Sequence, residues 1–257
     1  SLVRFCDAQL GRLLAAFDDL ELWRDTAIVL TTDHGFLLGE HDWWAKNRMP
    51  FYNEVAHIPL MIYHPVLHQD AGCRIVALTQ TIDLMPTFLE FHELQVSSNV
   101  TGQSLLPLLT GQVENIRQIA LYGIFGGAIN ATDGRYTYFR YPAEMDHKDL
   151  FEYTLMPMHN RSLFEVRELT AAELYRGFSF TKGAPVLQIP ALKDAKRSPR
   201  QGSFAQTQTC LYDLQADPAQ SHPFRDHKIE TNLMKLMRAE MTLHEAPEEV
   251  YLRFDLR

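Results

Sequence analysis

The chain has 257 residues, 46% hydrophobic and 22% charged, a balance that excludes extensive disorder and fits one large domain or a medium domain with a smaller one. A formal net charge of −8 argues against a duplex nucleic-acid binder, which normally presents a basic face. No apolar run approaches the ~18 residues of a membrane span, so neither nucleic acid nor a membrane is an expected partner.

The opening residues Ser1-Leu2-Val3-Arg4-Phe5-Cys6-Asp7 do not form a leader and read as the inside of a helix, so a preceding segment is expected. Leu10, Leu13, Leu14, Phe17 and Leu20 recur at intervals of three and four, which predicts an amphipathic helix over 2–22. Asp25-Thr26 ends it. The β-branched run Ala27–Thr31 predicts a buried strand whose end delivers Thr32-Asp33-His34-Gly35. A second buried strand is expected at Ile58–Tyr63. Asp83 can cap a helix running to about His92, with Pro86 in its first turn, and Ser104–Leu109 is a short apolar segment.

The patterning changes near Gly111. Asp133-Gly134 predicts a hairpin turn leading into the alternating strand Arg135–Tyr141. Cys210–Leu214 reads as a strand, Asp217-Pro218 as a turn, and Ile229, Leu233, Leu236, Met237 and Met241 as one face of a last helix. The expected fold class is α/β: a mixed sheet flanked by helices over 1–112, then a smaller α+β subdomain with an antiparallel sheet over 113–257. Residues 144–208 carry little pattern and are expected to form an irregular insertion. Their basic cluster, Lys193, Lys196, Arg197 and Arg200, reads as a solvated loop.

The chemistry is concentrated between Asp33 and Lys46. A carboxylate and an imidazole side by side at the carboxyl end of a strand suit a divalent cation. Gly35 permits a sharp turn after them. Lys46, thirteen positions after Asp33, can return an ammonium to the same mouth and neutralise an anionic group without competing for metal. Three widely spaced cysteines, Cys6, Cys73 and Cys210, include no CxxC pair and indicate neither a zinc knuckle nor a disulfide framework. Trp43 and Trp44 read as packing residues and His57 as structural. His159 and Arg161 are further candidates for substrate contact, with a solvated loop as the plainer reading.

In order along the chain, Asp7–Leu14, Asp33-His34-Gly35, Leu38–His41, Trp44-Ala45-Lys46, Val55–Leu60, Thr81–Thr87, Thr101–Leu109, Gly134-Arg135-Tyr136, Leu211–Leu214 and Asp217-Pro218 resemble the landmarks of the sulfatase family of the alkaline-phosphatase superfamily. The resemblance covers nearly all of the chain outside 144–208 and corresponds to the C-terminal part of the family. It implies a metal-dependent sulfuric ester hydrolase, with an alkaline-phosphatase-like sheet and a bound divalent metal, calcium foremost with manganese or magnesium as alternatives. Asp33 and His34 would be metal ligands, His34 standing where many members have Asn. Lys46 would be the catalytic and sulfate-binding lysine, and His41 a substrate-lining residue. The substrate would be a sulfate ester, a small molecule or a carbohydrate.

The family's nucleophile is a formylglycine made from Cys or Ser in a C/S-x-P-x-R motif, and none of Cys6, Cys73 and Cys210 lies in one. The consecutive aspartates Asp18-Asp19 lie late in a predicted helix and read as a solvated face rather than as the family's paired metal ligands. The formylglycine is therefore expected on a missing N-terminal half or on a second chain, and the isolated chain is expected to be inactive. Two alternatives stay open: a phosphonate or phosphodiester hydrolase of the same superfamily, and a non-catalytic assembly or binding domain.

Overall fold

Helix α1 runs over Leu2–Asp19, close to the predicted span. Only Phe17 of this helix is buried, whereas Leu2 and Val3 are 83% and 73% exposed, so most of its apolar stripe faces no partner among the described residues. The computed structural model describes residues 2–46, 50–67, 72–143, 150–156, 158–159, 162–191 and 208–256. The basic cluster at Lys193, Lys196, Arg197 and Arg200, and Arg161, lie outside them. Among the described residues no helix is long and apolar enough to cross a membrane.

Strand β1 (Ile28–Thr31) pairs antiparallel with β4 (Leu60–Tyr63), Ile28 facing Tyr63 and Thr31 facing Leu60. Both strands were expected to be buried, yet every residue of β1 is only partly covered and Met61 of β4 is exposed. The two form a sheet of their own, and among the described residues no further strand pairs with them to bury their apolar side chains. Between them lie a small hairpin, β2 (Leu37–Leu38) with β3 (Trp44–Ala45), and the short helix α2 (Asn53–Ala56).

Helix α3 (Leu84–Phe91) follows a 3₁₀ turn over Thr81–Asp83, and α4 is Leu106–Leu109. One buried knot joins them. Asp83 accepts hydrogen bonds from the Gln80 and Gln103 backbone N–H groups at 2.7 and 2.9 Å and is held bidentately by the Arg117 guanidinium. The Thr87 hydroxyl donates to the Asp83 carbonyl and accepts from the Leu105 N–H. Gly102 is required here because a Cβ would stand 2.0 Å from the Ile82 carbonyl oxygen.

The C-terminal part is built on a four-stranded antiparallel sheet in the order β11-β7-β6-β5, from β5 (Ala120–Gly123), β6 (Ile129–Thr132), β7 (Tyr136–Arg140) and β11 (Cys210–Asp213). The predicted Asp133-Gly134 turn joins β6 to β7, with Gly134 at φ 93° and the Asp133 carboxylate accepting from the Arg135 and Tyr136 N–H groups. Strand alternation divides the sheet. Ala131, Tyr138 and Leu211 stand abreast and pack on Leu233, Met237 and Met241 of helix α6 (His227–Leu243). Asp226 caps that helix by accepting from the Lys228 and Ile229 N–H groups. Phe139 and Tyr212 face the other way, together with Tyr141, and meet Tyr52 from the segment before α2.

The stretch expected to be irregular contains a three-stranded antiparallel sheet, order β8-β10-β9, from β8 (Phe151–Thr154), β9 (Glu173–Tyr175) and β10 (Val186–Pro190), with α5 (Val166–Thr170) beside it. Its strands are short, and Glu173 and Leu174 of β9 are exposed. An alternating pattern is therefore weak there even though the ladder is regular. A short helix α7 (Glu248–Arg253) closes the chain against the sheet through Phe254 and Leu256.

Candidate functional site

The site lies where β1 ends. Thr32 leaves the strand, Asp33 and His34 follow, and the chain then runs back antiparallel to residues 54–55: the Gly35 N–H donates to the Val55 carbonyl at 2.9 Å and the Phe36 N–H to the Glu54 carbonyl at 3.1 Å. Gly35 is needed for close approach rather than for a special turn. A Cβ on it would sit 1.8 Å from the Glu54 carbonyl oxygen, a clash with main chain that no rotamer relieves. Gly35→Ala is expected to destabilise the chain by about 1–3 kcal/mol, read as a lower urea midpoint at unchanged slope; an unchanged midpoint would mean that the two segments part easily.

Three side chains converge. His34 Nδ1 lies 2.8 Å from its neighbour's carbonyl, Gly35 O. A carbonyl only accepts, so Nδ1 carries a proton there, and Nε2 is left to face the site. Asp33 Oδ2 stands 3.2 Å from Nε2, and the Lys46 ammonium contacts the same nitrogen. Asp33 is largely exposed while His34 is half-buried. Some desolvation of the Asp33 carboxyl opposes its ionisation, but electrostatic attraction to the adjacent His34 ring, the His34 N–H and the Thr32 hydroxyl together hold it below the usual carboxylate range. The carboxylate is thus kept as an anion, the state a metal ligand needs.

Lys46 reaches this point on the β2–β3 hairpin, in which Leu37 pairs with Ala45 and Leu38 with Trp44. Trp44 is exposed, while Leu37 is fully buried with Val55, packed on by Trp43, Phe51 and Tyr52. The lysine therefore sits on a short ladder anchored by one buried leucine.

His41 is placed differently. Its ring stacks on Tyr52, centroids 3.6 Å apart and planes 7° from parallel, and its Nε2 faces Glu54 Oε2 at 3.5 Å. Its ring is spent on these two neighbours, and the contacts among Asp33, His34 and Lys46 do not include it. His159 is likewise engaged, with Glu168 at 2.9 Å and Glu152 at 3.4 Å on its two ring nitrogens. Asp18 accepts a hydrogen bond from the Trp23 indole at 2.7 Å, far from a metal ligand's role. The sequence reading missed Tyr52 and Glu54; a short polar-aromatic segment six to eight residues beyond the lysine carries no periodic or motif signal.

A cation can be tested against the donors present. An anionic carboxylate and an imidazole whose Nε2 is turned to the site by its Nδ1 contact are the right donor types for a hard divalent ion. They supply only two ligands: among the described residues no group of three or more His, Cys, Asp or Glu side chains converges. The donors fit half of a metal site.

Comparison with known proteins gives a consistent picture. The family model described as N-sulphoglucosamine sulphohydrolase, C-terminal, matches residues 39–174. An N-acetylglucosamine-6-O-sulfatase from Bacteroides thetaiotaomicron is 36% identical over 140 residues, 54% of this chain and 22% of the relative. An arylsulfatase K from Gallus gallus is 35% identical over 109 residues, 42% of this chain and 20% of the relative. A solved structure described as bound to its substrate D-glucosamine-2-N,6-O-disulfate superposes with a TM-score of 0.57 at 20% identity, over 94% of this chain and 39% of that one. The match to each of the two curated relatives thus spans about a fifth of the relative's length.

Proposed function

Because the chain belongs to the N-sulphoglucosamine sulphohydrolase C-terminal family, within the sulfatases of the alkaline-phosphatase superfamily, we propose that it supplies the C-terminal part of a metal-dependent sulfuric ester hydrolase acting on a sulfated carbohydrate. The observation that carries the reading is the convergence of Asp33 and Lys46 on His34 Nε2 at the end of β1. A carboxylate, an imidazole lone pair and an ammonium at one point suit a bound cation beside an anionic ester group. The sugar class comes from the relatives, one named for a sulfated amino sugar and one solved with one.

Asp33 and His34 would hold the metal, calcium foremost, which when bound supplies Lewis-acid polarisation of the ester group. The Nδ1 contact with the Gly35 carbonyl orients the imidazole and leaves Nε2 free to ligate. Lys46 places a compact positive charge where the sulfate oxygens and the leaving oxygen gather negative charge. Its flexible stem lets the ammonium turn from the imidazole to the anion. The remaining metal ligands and the formylglycine nucleophile would come from another segment or chain, since none of the three cysteines lies in a C-x-P-x-R motif. The S-x-P-x-R match Ser221-His222-Pro223-Phe224-Arg225 follows β11, with the Ser221 hydroxyl donating to the Ala219 carbonyl and Arg225 paired with Glu230, outside the contacts among Asp33, His34 and Lys46.

The test is hydrolysis of an aryl sulfate and an aryl phosphate with calcium or manganese, by this chain alone and together with an upstream sulfatase half. Sulfate turnover only in the combination, lost on Asp33→Ala, is the expected result. Turnover by the chain alone would overturn the divided site, and preference for the phosphate would favour the phosphohydrolase alternative. Failure of the combination to bind metal or turn over either ester would favour a non-catalytic assembly domain.

A further inference from the structure

The hairpin that carries Lys46 is held from outside the site. Gly39, His41, Asp42 and Ala45 have φ of 125°, 54°, 60° and 85°. Three of these residues bear side chains, so the segment is strained and persists only where its surroundings over-determine it. Those surroundings are one aromatic stack and one polar pair. The His41 ring lies flat on Tyr52, and its Nε2 faces Glu54 Oε2 at 3.5 Å, too far for a well-formed hydrogen bond. Both atoms are buried without a hydrogen-bond partner, an arrangement that costs stability and calls for an explanation in function. Tyr52 in turn packs on Phe139 and Tyr212 of the four-stranded sheet, at centroid distances of 5.4 and 6.3 Å. The next residue, Asn53, donates its N–H to the buried side-chain oxygen of Gln220 at 2.6 Å. A continuous path therefore runs from the C-terminal sheet through Tyr52 and His41 to the hairpin that ends in Lys46.

We propose that Tyr52 and Glu54 are positioning residues for Lys46: they hold His41, His41 fixes the strained hairpin, and the hairpin keeps the ammonium at His34. The C-terminal sheet is then part of the site's geometry rather than an appended support. The catalytic consequence rests on the sulfatase reading; the placement of Lys46 does not.

Two readouts separate the two. In this chain, acylation of Lys46 by acetic anhydride is followed by peptide mass spectrometry, with exposed Lys235 as internal reference. Tyr52→Leu is expected to raise Lys46 labelling several-fold relative to Lys235, while Tyr52→Phe, which keeps the ring, restores the native rate. Glu54→Gln leaves the packing in place and is expected to raise labelling as well, so the test survives if Tyr52→Leu does not fold. In the active combination, Tyr52→Leu is expected to lower kcat by about 10- to 100-fold with little change in KM, because a displacement near 1 Å at a reacting group costs on that order. Native Lys46 labelling in both Tyr52→Leu and Glu54→Gln would overturn the proposal. Raised labelling together with no sulfate turnover by the wild-type combination would leave the positioning role standing and remove the sulfatase reading.

Discussion

Lys46→Ala is expected to lower kcat for sulfate ester hydrolysis by about 10²–10³-fold in the active combination, the loss typical of removing one charge-stabilising donor. The lysine stands where Asp33 and His34 already meet, and the Leu37–Ala45 and Leu38–Trp44 ladder leads directly into it. On the proposed reading its charge would act where negative charge develops, so the loss is expected on kcat more than on KM. Lys46→Arg is expected to recover little, because a planar fork does not replace a compact ammonium at a half-buried position. Steady-state kinetics on an aryl sulfate decide it. A change confined to KM would mean that Lys46 only binds the ground state, and an unchanged kcat/KM would remove it from the site.

Arg117→Met is expected to destabilise the chain by about 3–5 kcal/mol, because it strips the counter-charge from a fully buried carboxylate. Asp83 is 0% exposed and the Arg117 side chain 5%, and the guanidinium grips both carboxylate oxygens, one at 2.6 Å. After the substitution Asp83 keeps only the Gln80 and Gln103 N–H groups, too little to replace the ion pair in a dry site. The double variant Asp83→Leu, Arg117→Met removes both charges and is expected to recover much of the loss, since it is the lone buried charge that costs most. Urea unfolding of the single and double variants provides the cycle. A single-variant loss below about 1 kcal/mol would show that water reaches Asp83.

The two effects concern different links of one chain of causes. The Asp83 knot ties the 3₁₀ turn at Thr81–Asp83 to the segment before α4, binding two stretches that the sequence presents separately as Thr81–Thr87 and Thr101–Leu109. The Lys46 hairpin is tied to the C-terminal sheet through Tyr52. Both ties are long-range, 34 residues apart for Asp83 and Arg117 and 167 for Asn53 and Gln220.

The sequence by itself determined what depends on near neighbours. Three-to-four spacing located α1 and α6, a β-branched run located β1, and Asp133-Gly134 located the β6–β7 turn, because these patterns are set by backbone periodicity and local sterics. It also singled out Asp33 and His34 as candidate ligands, since they are adjacent and their donor types are fixed by their chemistry. The ordered landmarks pointed to the sulfatase family, which the match over residues 39–174 shows. Only the tertiary structure decided how deeply these elements are buried and what they lean on. β1 and β4 were expected inside and are half-covered, because burial depends on neighbouring layers and not on a strand's own composition. The sheet of β8, β9 and β10 escaped the reading because its pairing joins residues whose order along the chain carries no alternation. His41 was a candidate for substrate, but its ring lies on Tyr52, a partner eleven residues away that no local rule assigns. Side-chain chemistry is written one residue at a time; the company a side chain keeps is settled by packing of segments far apart, and that is where the support of Lys46 was found.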